Sequence, residues 1–447
     1  MGLVERIVTV RGFLRILGGV YTVAFLSFGV QAMGLIGSHG ILPLGDFFQA
    51  VREGAGRSAY WEVPSILWFN WSDGAITAVW ILGAIAGLVA AAGFWQRRAL
   101  AVCLVFWLSI CTAGQDFLSF QWDVLLLEAG FLAVFADESR IRIWLFRWLL
   151  FRLMIFSGLV KLLSGDPVWR NLTALSFHYE TQPLPTPLAW YAHQLPLWFQ
   201  KVSTAMVFMA ELPVPLLFLA PRPWRRIGGW ITIGLQVLIL LTGNYTFFNF
   251  LTIALVMFLF IEPRQEDRHR AVSIGLALFV GLISAALFLE LFSVSLLGMG
   301  EVLHLTAPFR IVNSYGLFAV MTTTRQEIIV EGSNDGEHWS AYEFRYKPGD
   351  VNRAPPIVEP HQPRLDWQMW FAALGSPQQN RWFTNFVVRL LQGEPAVLGL
   401  MRYNPFPQQP PKLVRAQLYL YHFTSFGERG WWRREERGVY FPPVSLR

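Results

Sequence analysis

Charge and cysteine are both scarce in this chain. Asp, Glu, Lys and Arg make up 15% of its 447 residues and hydrophobic residues 54%, where a soluble domain carries about 25% charged and roughly 45–50% apolar residues. That balance excludes an ordinary soluble globular protein. The two cysteines, Cys103 and Cys111, stand eight positions apart in one apolar run, and a single helix cannot bring them into a disulfide. A metal site would need further ligands nearby, and none are there. They read as small buried apolar residues, so no disulfide framework holds the rest together and cysteine usage does not report the compartment. G-x-S-x-G elbows, H-E-x-x-H helices, phosphate-binding loops and dinucleotide fingerprints are missing too. No metal and no cofactor are expected.

What the chain has is apolar runs. About 20 such residues cross the hydrocarbon core, and runs of that kind lie near 13–36, 74–95, 98–115, 119–136, 143–163, 202–220, 227–243, 246–261 and 271–297. The expected fold is an α-helical polytopic membrane bundle of about nine spans, followed by a C-terminal exported β-rich α+β domain. The bundle takes residues 1–299, with a structured exported loop at 164–201. The second part, 300–447, reads as β-sandwich-like with amphipathic helices. The first run follows Arg6, Arg11 and Arg15 but is too long for a signal peptide and lacks a small-x-small site, so it reads as a retained helix.

The net charge of +6 does not point to nucleic acid. The arginines sit in alternate loops (Arg97 and Arg98, Arg140 and Arg142, Arg222, Arg225 and Arg226, Arg264, Arg268 and Arg270), as the positive-inside rule requires. This places the N-terminus in the cytoplasm, and an odd span count puts 300–447 on the exoplasmic side with the 164–201 loop. The bilayer is therefore the first partner. In the 37–73 loop, Trp61, Ile66, Trp68, Phe69 and Trp71 suit a membrane interface.

After Gly300 the periodicity changes. GLFAVMTT and EIIVEG read as strands, with a turn at Ser333 to Gly336 before HWSAYEFRY. Trp367, Trp370, Phe371 and Leu374 form a helical stripe, as do Phe383, Phe386, Val387 and Leu390. Val414, Ala416, Leu418 and Leu420 alternate with Arg415, Gln417 and Tyr419 as a strand.

Ionisable residues inside spans are costly and draw attention by default. Here they are Asp123, Glu128, Arg152 and Glu211. Either they line a polar cavity, or Glu128 or Glu211 pairs with Arg152 and holds helices together. Lys161 closes the fifth run; it either snorkels to water or, if desolvated, acts as a base. Beyond it lies a dense polar loop with Asp166, Trp169, Arg170, His178, Tyr179, Glu180 and Gln182. His178 is a loop anchor, or a base oriented by Glu180, which shares its face only in extended chain. Gln182 to Pro187 favours an extended conformation and either docks a partner or packs on the C-terminal domain. Asn171 and Asn244 each begin an N-x-T glycosylation sequon.

These residues resemble the lipase maturation factor family over nearly the whole length. Asp166-x-x-Trp169-Arg170-x-Leu172-Thr173, then Phe177-His178-Tyr179-Glu180-Thr181-Gln182-Pro183, looks like the family's central loop. The order Ala307-Pro308-Phe309, Asn313-x-Tyr315-Gly316, Lys347-Pro348-Gly349-Asp350, Arg364-Leu365-Asp366-Trp367, Asn404-Pro405-Phe406 and Trp431-Trp432 is similar as well. The resemblance implies a polytopic protein of the endoplasmic reticulum membrane, or of the inner membrane in a bacterium. Its implied partner is a secreted client protein, a lipase in the family's case, which it helps to fold and assemble. It implies no catalytic residue. The family's vertebrate members use cysteines in their exported parts and this chain has none there, so its client need not be a lipase. A slighter likeness, carried by Lys161, Asp166 and Trp169, is to the vitamin-K-dependent carboxylase-like transmembrane superfamily. It implies an alternative: a membrane enzyme with Lys161 as base on a quinone or lipid-like substrate.

Overall fold

The computed structural model describes residues 8–294 and 298–446; Arg6, the end of the last apolar run at 295–297 and Arg447 lie outside the described residues. The helices used below are α1 (Val10–Gly29), α2 (Asp73–Ala92), α3 (Gln96–Ala113), α4 (Gln121–Val134), α5 (Arg140–Leu163), α6 (Ala174–Thr181), α7 (Pro187–His193), α8 (Leu197–Glu211), α9 (Arg222–Thr242), α10 (Phe248–Val256), α11 (Arg270–Leu291), α12 (Arg364–Ala373) and α13 (Arg381–Gln392).

Among the described residues, six helices are long and apolar enough to cross a membrane: α1, α2, α3, α5, α8 with its continuation to Leu219, and α11. The other three apolar runs form helices that fall short on length or composition. α4 has 14 residues, α9 opens on Arg222, Arg225 and Arg226, and Phe248–Leu259 is shorter than a span. Side-chain caps mark several starts: Thr9 accepts from the Gly12 N–H at 2.9 Å and Ser72 from Ala75 at 3.3 Å, as orphan N–H groups require. Helices α1 and α2 approach closely because small residues meet. A Cβ on Gly18 would lie 2.7 Å from the Gly87 carbonyl oxygen, which leaves no room for any side chain. Helix α8 stops where Pro213 and Pro215 withhold their N–H groups.

Strands β1 (Arg325–Ser333), β2 (Ser340–Ala341), β5 (Leu413–Phe423) and β6 (Trp432–Val444) form an antiparallel sheet in the order β2-β1-β5-β6, and β3 (Glu343–Phe344) pairs with β4 (Met401–Tyr403). Helix α12 packs on β1 and α13 on β5. The second sheet has just two strands, so the layer facing the larger sheet is mainly helical. Phe383, Phe386, Val387 and Leu390 are buried as their stripe requires, whereas Phe371 on α12 and Leu374 just past its end are exposed.

Two sequence expectations need correction here. Residues 316–323 form no strand. Their backbone groups are instead taken by side chains: Trp169 donates to the Phe318 carbonyl, Thr181 to that of Thr322, and Asp166 accepts from the Met321 N–H. On β5, Leu418 and Leu420 are half-buried, while Tyr421 and Phe423 on the opposite face are buried. That face is covered by Ala189 and Trp190 of α7, so the half of the strand next to the loop does not follow one-sided alternation.

Candidate functional site

Each ionisable residue of the helical region singled out in the sequence has a buried partner. Glu128 pairs with Arg152, and both are essentially inaccessible. The same carboxylate accepts from the Asn313 N–H (3.0 Å), the Asn313 amide (3.1 Å) and the Tyr315 hydroxyl (2.8 Å), and Arg152 donates to the Asn313 carbonyl. Glu211 pairs with Lys161, not with Arg152: Lys161 Nζ lies 2.9 and 2.7 Å from the two carboxylate oxygens and 3.0 Å from the Ser157 carbonyl. Three acceptors thus hold all three ammonium protons. Asp123 is met by Arg364, 241 residues away, with two bonds of 2.9 Å and both side chains 0% exposed. Lys161 does not snorkel; it is buried, with its charge under the Trp169 ring at 5.3 Å.

The 164–201 loop is held by hydrogen bonds and is continuously buried from Glu180 to Thr186. Asp166 caps the turn Pro167–Arg170, accepting from the Val168 N–H at 2.8 Å and from Met321 at 2.7 Å. Arg170 is exposed. His178 and Glu180 sit on helix α6, where residues two apart point about 200° away from each other; the extended dyad does not form. Glu180 faces the sheet, accepting from the Phe423 N–H at 2.6 Å and from His422 at 3.2 Å. His178 faces Tyr245, Nε2 to hydroxyl 3.2 Å, and stacks edge-on against Phe318. Gln182 to Thr186 is buried, so the extended strip packs inward and is not itself a docking surface. Its carbonyls are held by Arg325, which donates to those of Glu180, Gln182 and Pro183. That guanidinium also pairs with Glu327 at 2.7 Å, and Lys347 reaches the same carboxylate at 2.9 Å.

Asn244 is the second clamp. Its amide donates to the carbonyls of Leu184, Pro185 and Pro356 and accepts from the Val358 N–H at 2.7 Å. At 2% exposure it is closed to glycosylation, whereas Asn171 is exposed. Nothing in periodicity or charge marked these partners: Asn244 stood out only as a sequon, Asn313, Tyr315 and Arg364 only within the motifs of the family resemblance, Glu327 only as the first residue of the strand segment EIIVEG, and Arg325 not at all.

Between the loop and the bundle lies a cavity of about 820 Å³. Leu153, Met154, Leu235 and Phe318 are part of its apolar wall, and Lys161, His178, Glu211, Gln236 and Tyr245 are among the residues that bring polar groups to it, with the hydroxyl residues Ser157, Ser203 and Thr242. Burial, and then the charge of Lys161, holds the His178 imidazole down at about 4 from its ordinary 6.5. The folded state therefore keeps this ring neutral where the unfolded chain would protonate it. Stability present above pH 6.5 should be lost as the pH falls from 6.5 towards 4. His361, held at about 4 chiefly by burial, adds to the same slope. Thermal unfolding in detergent between pH 4 and 7.5 should show that slope, and His178→Gln should reduce it without abolishing it.

Six membrane-length helices packed with a strand-containing C-terminal region define an integral membrane protein. Residues 8–266 match the lipase maturation factor transmembrane domain, and residues 311–442 match the lipase maturation factor C-terminal domain. Lipase maturation factor 2 of Gallus gallus is 37% identical over 97% of this chain and 81% of its own length. The Homo sapiens protein of that name is 36% identical over 97% and 82%, and Lipase maturation factor 1 of Mus musculus 34% identical over 97% and 86%. No solved structure matches. The chain belongs to the lipase maturation factor family.

Proposed function

We propose that this protein is a membrane-embedded maturation factor that binds secreted client proteins of the lipase type while they fold and assemble. The observation that carries the reading is an aromatic cluster where the loop meets the sheet. Trp190 packs edge-on against Phe426 (5.1 Å) and Trp431 (5.6 Å), while Tyr191 and Phe426 stand 51% and 67% exposed. Rigid aromatics on a buried scaffold suit a binding surface, since such residues dominate interface energetics. The relatives' names support a lipase client.

On this reading residues 1–299 form a nine-span bundle, with α4, α9 and Phe248–Leu259 crossing together with the six longer helices. Residues 300–447 and the 164–201 loop then face the exoplasm. Supporting this, Arg11, Arg15, Arg97 and Arg98 line one polar cavity together with Asp137 and Glu138, so the basic ends of several helices gather at one end. Reporters fused after Arg98 and Arg226 should be cytoplasmic and one at Ser176 exoplasmic; the reverse at Arg226 and Ser176 would overturn the map. A photoreactive residue at Phe426, in cells making a secreted lipase, should give an adduct with the immature lipase. Its absence, together with unchanged lipase secretion when the protein is deleted, would overturn the client reading.

The alternative, Lys161 as a base on a lipid-like substrate, places that residue beside the same cavity. All three of its acceptors are protein groups, the two Glu211 oxygens and the Ser157 carbonyl, as a structural tie between helices requires. Lys161→Arg keeps charge and reach and should retain maturation activity, although guanidinium cannot serve as a base near neutral pH. A folded Lys161→Arg protein that has lost all activity would favour the enzyme.

A further inference from the structure

We infer that the cleft where helices α1 and α3 begin holds the phosphate of an anionic glycerophospholipid whose chains lie beside those helices in the bilayer. The cleft measures about 1210 Å³ and is lined by the first turns of both helices, with Arg11, Arg15, Arg97 and Arg98. Both helices are long and apolar enough to cross a membrane, so their ends stand at headgroup level. Trp95 and Ile16 line the same cleft and yet are 77% and 38% exposed. They give it an apolar lip on the lipid side.

The charge in the cleft is unbalanced. Asp137 also lines it, but that carboxylate is held by Arg142 and by the Ser139 N–H at 2.9 Å. Glu138 is then the one acid among the described lining residues left to face four guanidinium groups. None of the four is in an ion pair among the described residues.

The helix ends add to the attraction. The first N–H groups of a helix have no partner within it and carry partial positive charge. At α3 no side chain caps them and no acid stands in the first turn, so they are left for an oxyanion. The first turn of α1 also lacks an acid. Gly93 brings Arg15 to the same place: a Cβ there would lie 2.6 Å from Arg15 Nη2 and 2.9 Å from Nε. The glycine lets that guanidinium lie against the turn between α2 and α3.

Arginines that merely orient the chain need only lie on the correct side of the bilayer. Convergence on one cleft, around open helix N–H groups, is what an oxyanion requires, and the planar guanidinium fork matches phosphate. A choline head would carry its own cation towards four others, so net-anionic heads are selected. A soluble phosphate monoester offers the same oxyanion, and the lip of Trp95 and Ile16 commits the cleft to lipid. The inference needs only the membrane, not the client, and not the side of the bilayer on which the cleft lies.

The test is native mass spectrometry of the full-length protein released from nanodiscs in which phosphatidylglycerol is titrated against phosphatidylcholine. Phosphatidylglycerol should stay bound and phosphatidylcholine should be lost. Arg15→Gln and Arg98→Gln should each weaken that binding about fivefold, and together about 25-fold, the factor one arginine contributes at an anionic lipid surface. Arg52→Gln with Arg57→Gln, exposed on the 37–73 loop, should change nothing. A benzophenone placed at Ile16 should crosslink phosphatidylglycerol in preference to phosphatidylcholine, and excess glycerol 3-phosphate should not suppress the adduct. Equal retention of the two lipids, or equal loss in the loop variant, would overturn the proposal. Suppression by glycerol 3-phosphate would overturn it too, in favour of a soluble phosphate compound. Should the arginine variants fail to fold, the Ile16 crosslink and its competition decide the matter alone.

Discussion

Arg364→Ala is expected to weaken strongly the packing of the C-terminal region on the helical bundle. Arg364 is 0% exposed; it holds Asp123 through two bonds of 2.9 Å and the Phe117 carbonyl through a third of 2.7 Å. Removing one member of a buried pair leaves an uncompensated charge and typically costs about 3–5 kcal/mol, a large part of the roughly 5–15 kcal/mol that holds a domain together. No neighbouring contact supplies a charge to Asp123: Gln31 bonds the Arg364 N–H and the Gln362 carbonyl, neutral links of the ordinary kind, and the Glu128 and Asn244 clusters hold other points of the same seam. Thermal unfolding in detergent should shift down sharply, and residues 351–363 should become open to protease. The double variant Asp123→Asn, Arg364→Met should recover much of the loss, since exchanging a whole buried pair for uncharged groups is often near neutral. An Arg364→Ala protein that melts as the parent does would show that the pair does not hold the two regions together.

The second large effect is expected at Arg325. Its guanidinium serves three loop carbonyls and the Glu327 carboxylate at once. Arg325→Ala leaves those carbonyls in a dry interior and again costs about 3–5 kcal/mol through the stranded acid, moderated because Lys347 still reaches Glu327. Arg325→Lys is the sharper test. An ammonium keeps the charge but cannot span acceptors arranged around a planar fork of donors, so the protein should fold with its 182–186 strip loosened. The expected readouts are faster protease cleavage within the loop and lost client maturation, with smaller change in overall melting. Full activity with Lys at this position would show that loop shape does not depend on the fork.

Much of the architecture was legible beforehand because it rests on local pattern. Apolar runs gave the helices their length, β-branched composition marked β1 and period 2 part of β5, and the α13 stripe is buried as its spacing demands. The gaps have physical causes. Residues 316–323 have strand composition, but side chains of the loop satisfy their backbone, so no ladder is needed. Tyr421 and Phe423 are buried because α7 supplies a second covering layer. The Gln182 to Thr186 strip is prolines and polar residues, as a docking strip would be, yet its carbonyls are absorbed by Arg325 and Asn244.

Sequence by itself determined that this chain lives in a membrane, where its long apolar helices run and that strands follow after Gly300, because polarity and periodicity act over a few neighbouring residues. It also singled out the acids that would need partners: Asp123, Glu128 and Glu211. Only the tertiary structure decided which cation answers each of them. A buried charge is satisfied by whatever lies within about 3 Å in space, and for Asp123 that is an arginine 241 residues further along the chain. Distance in sequence carries no record of that encounter.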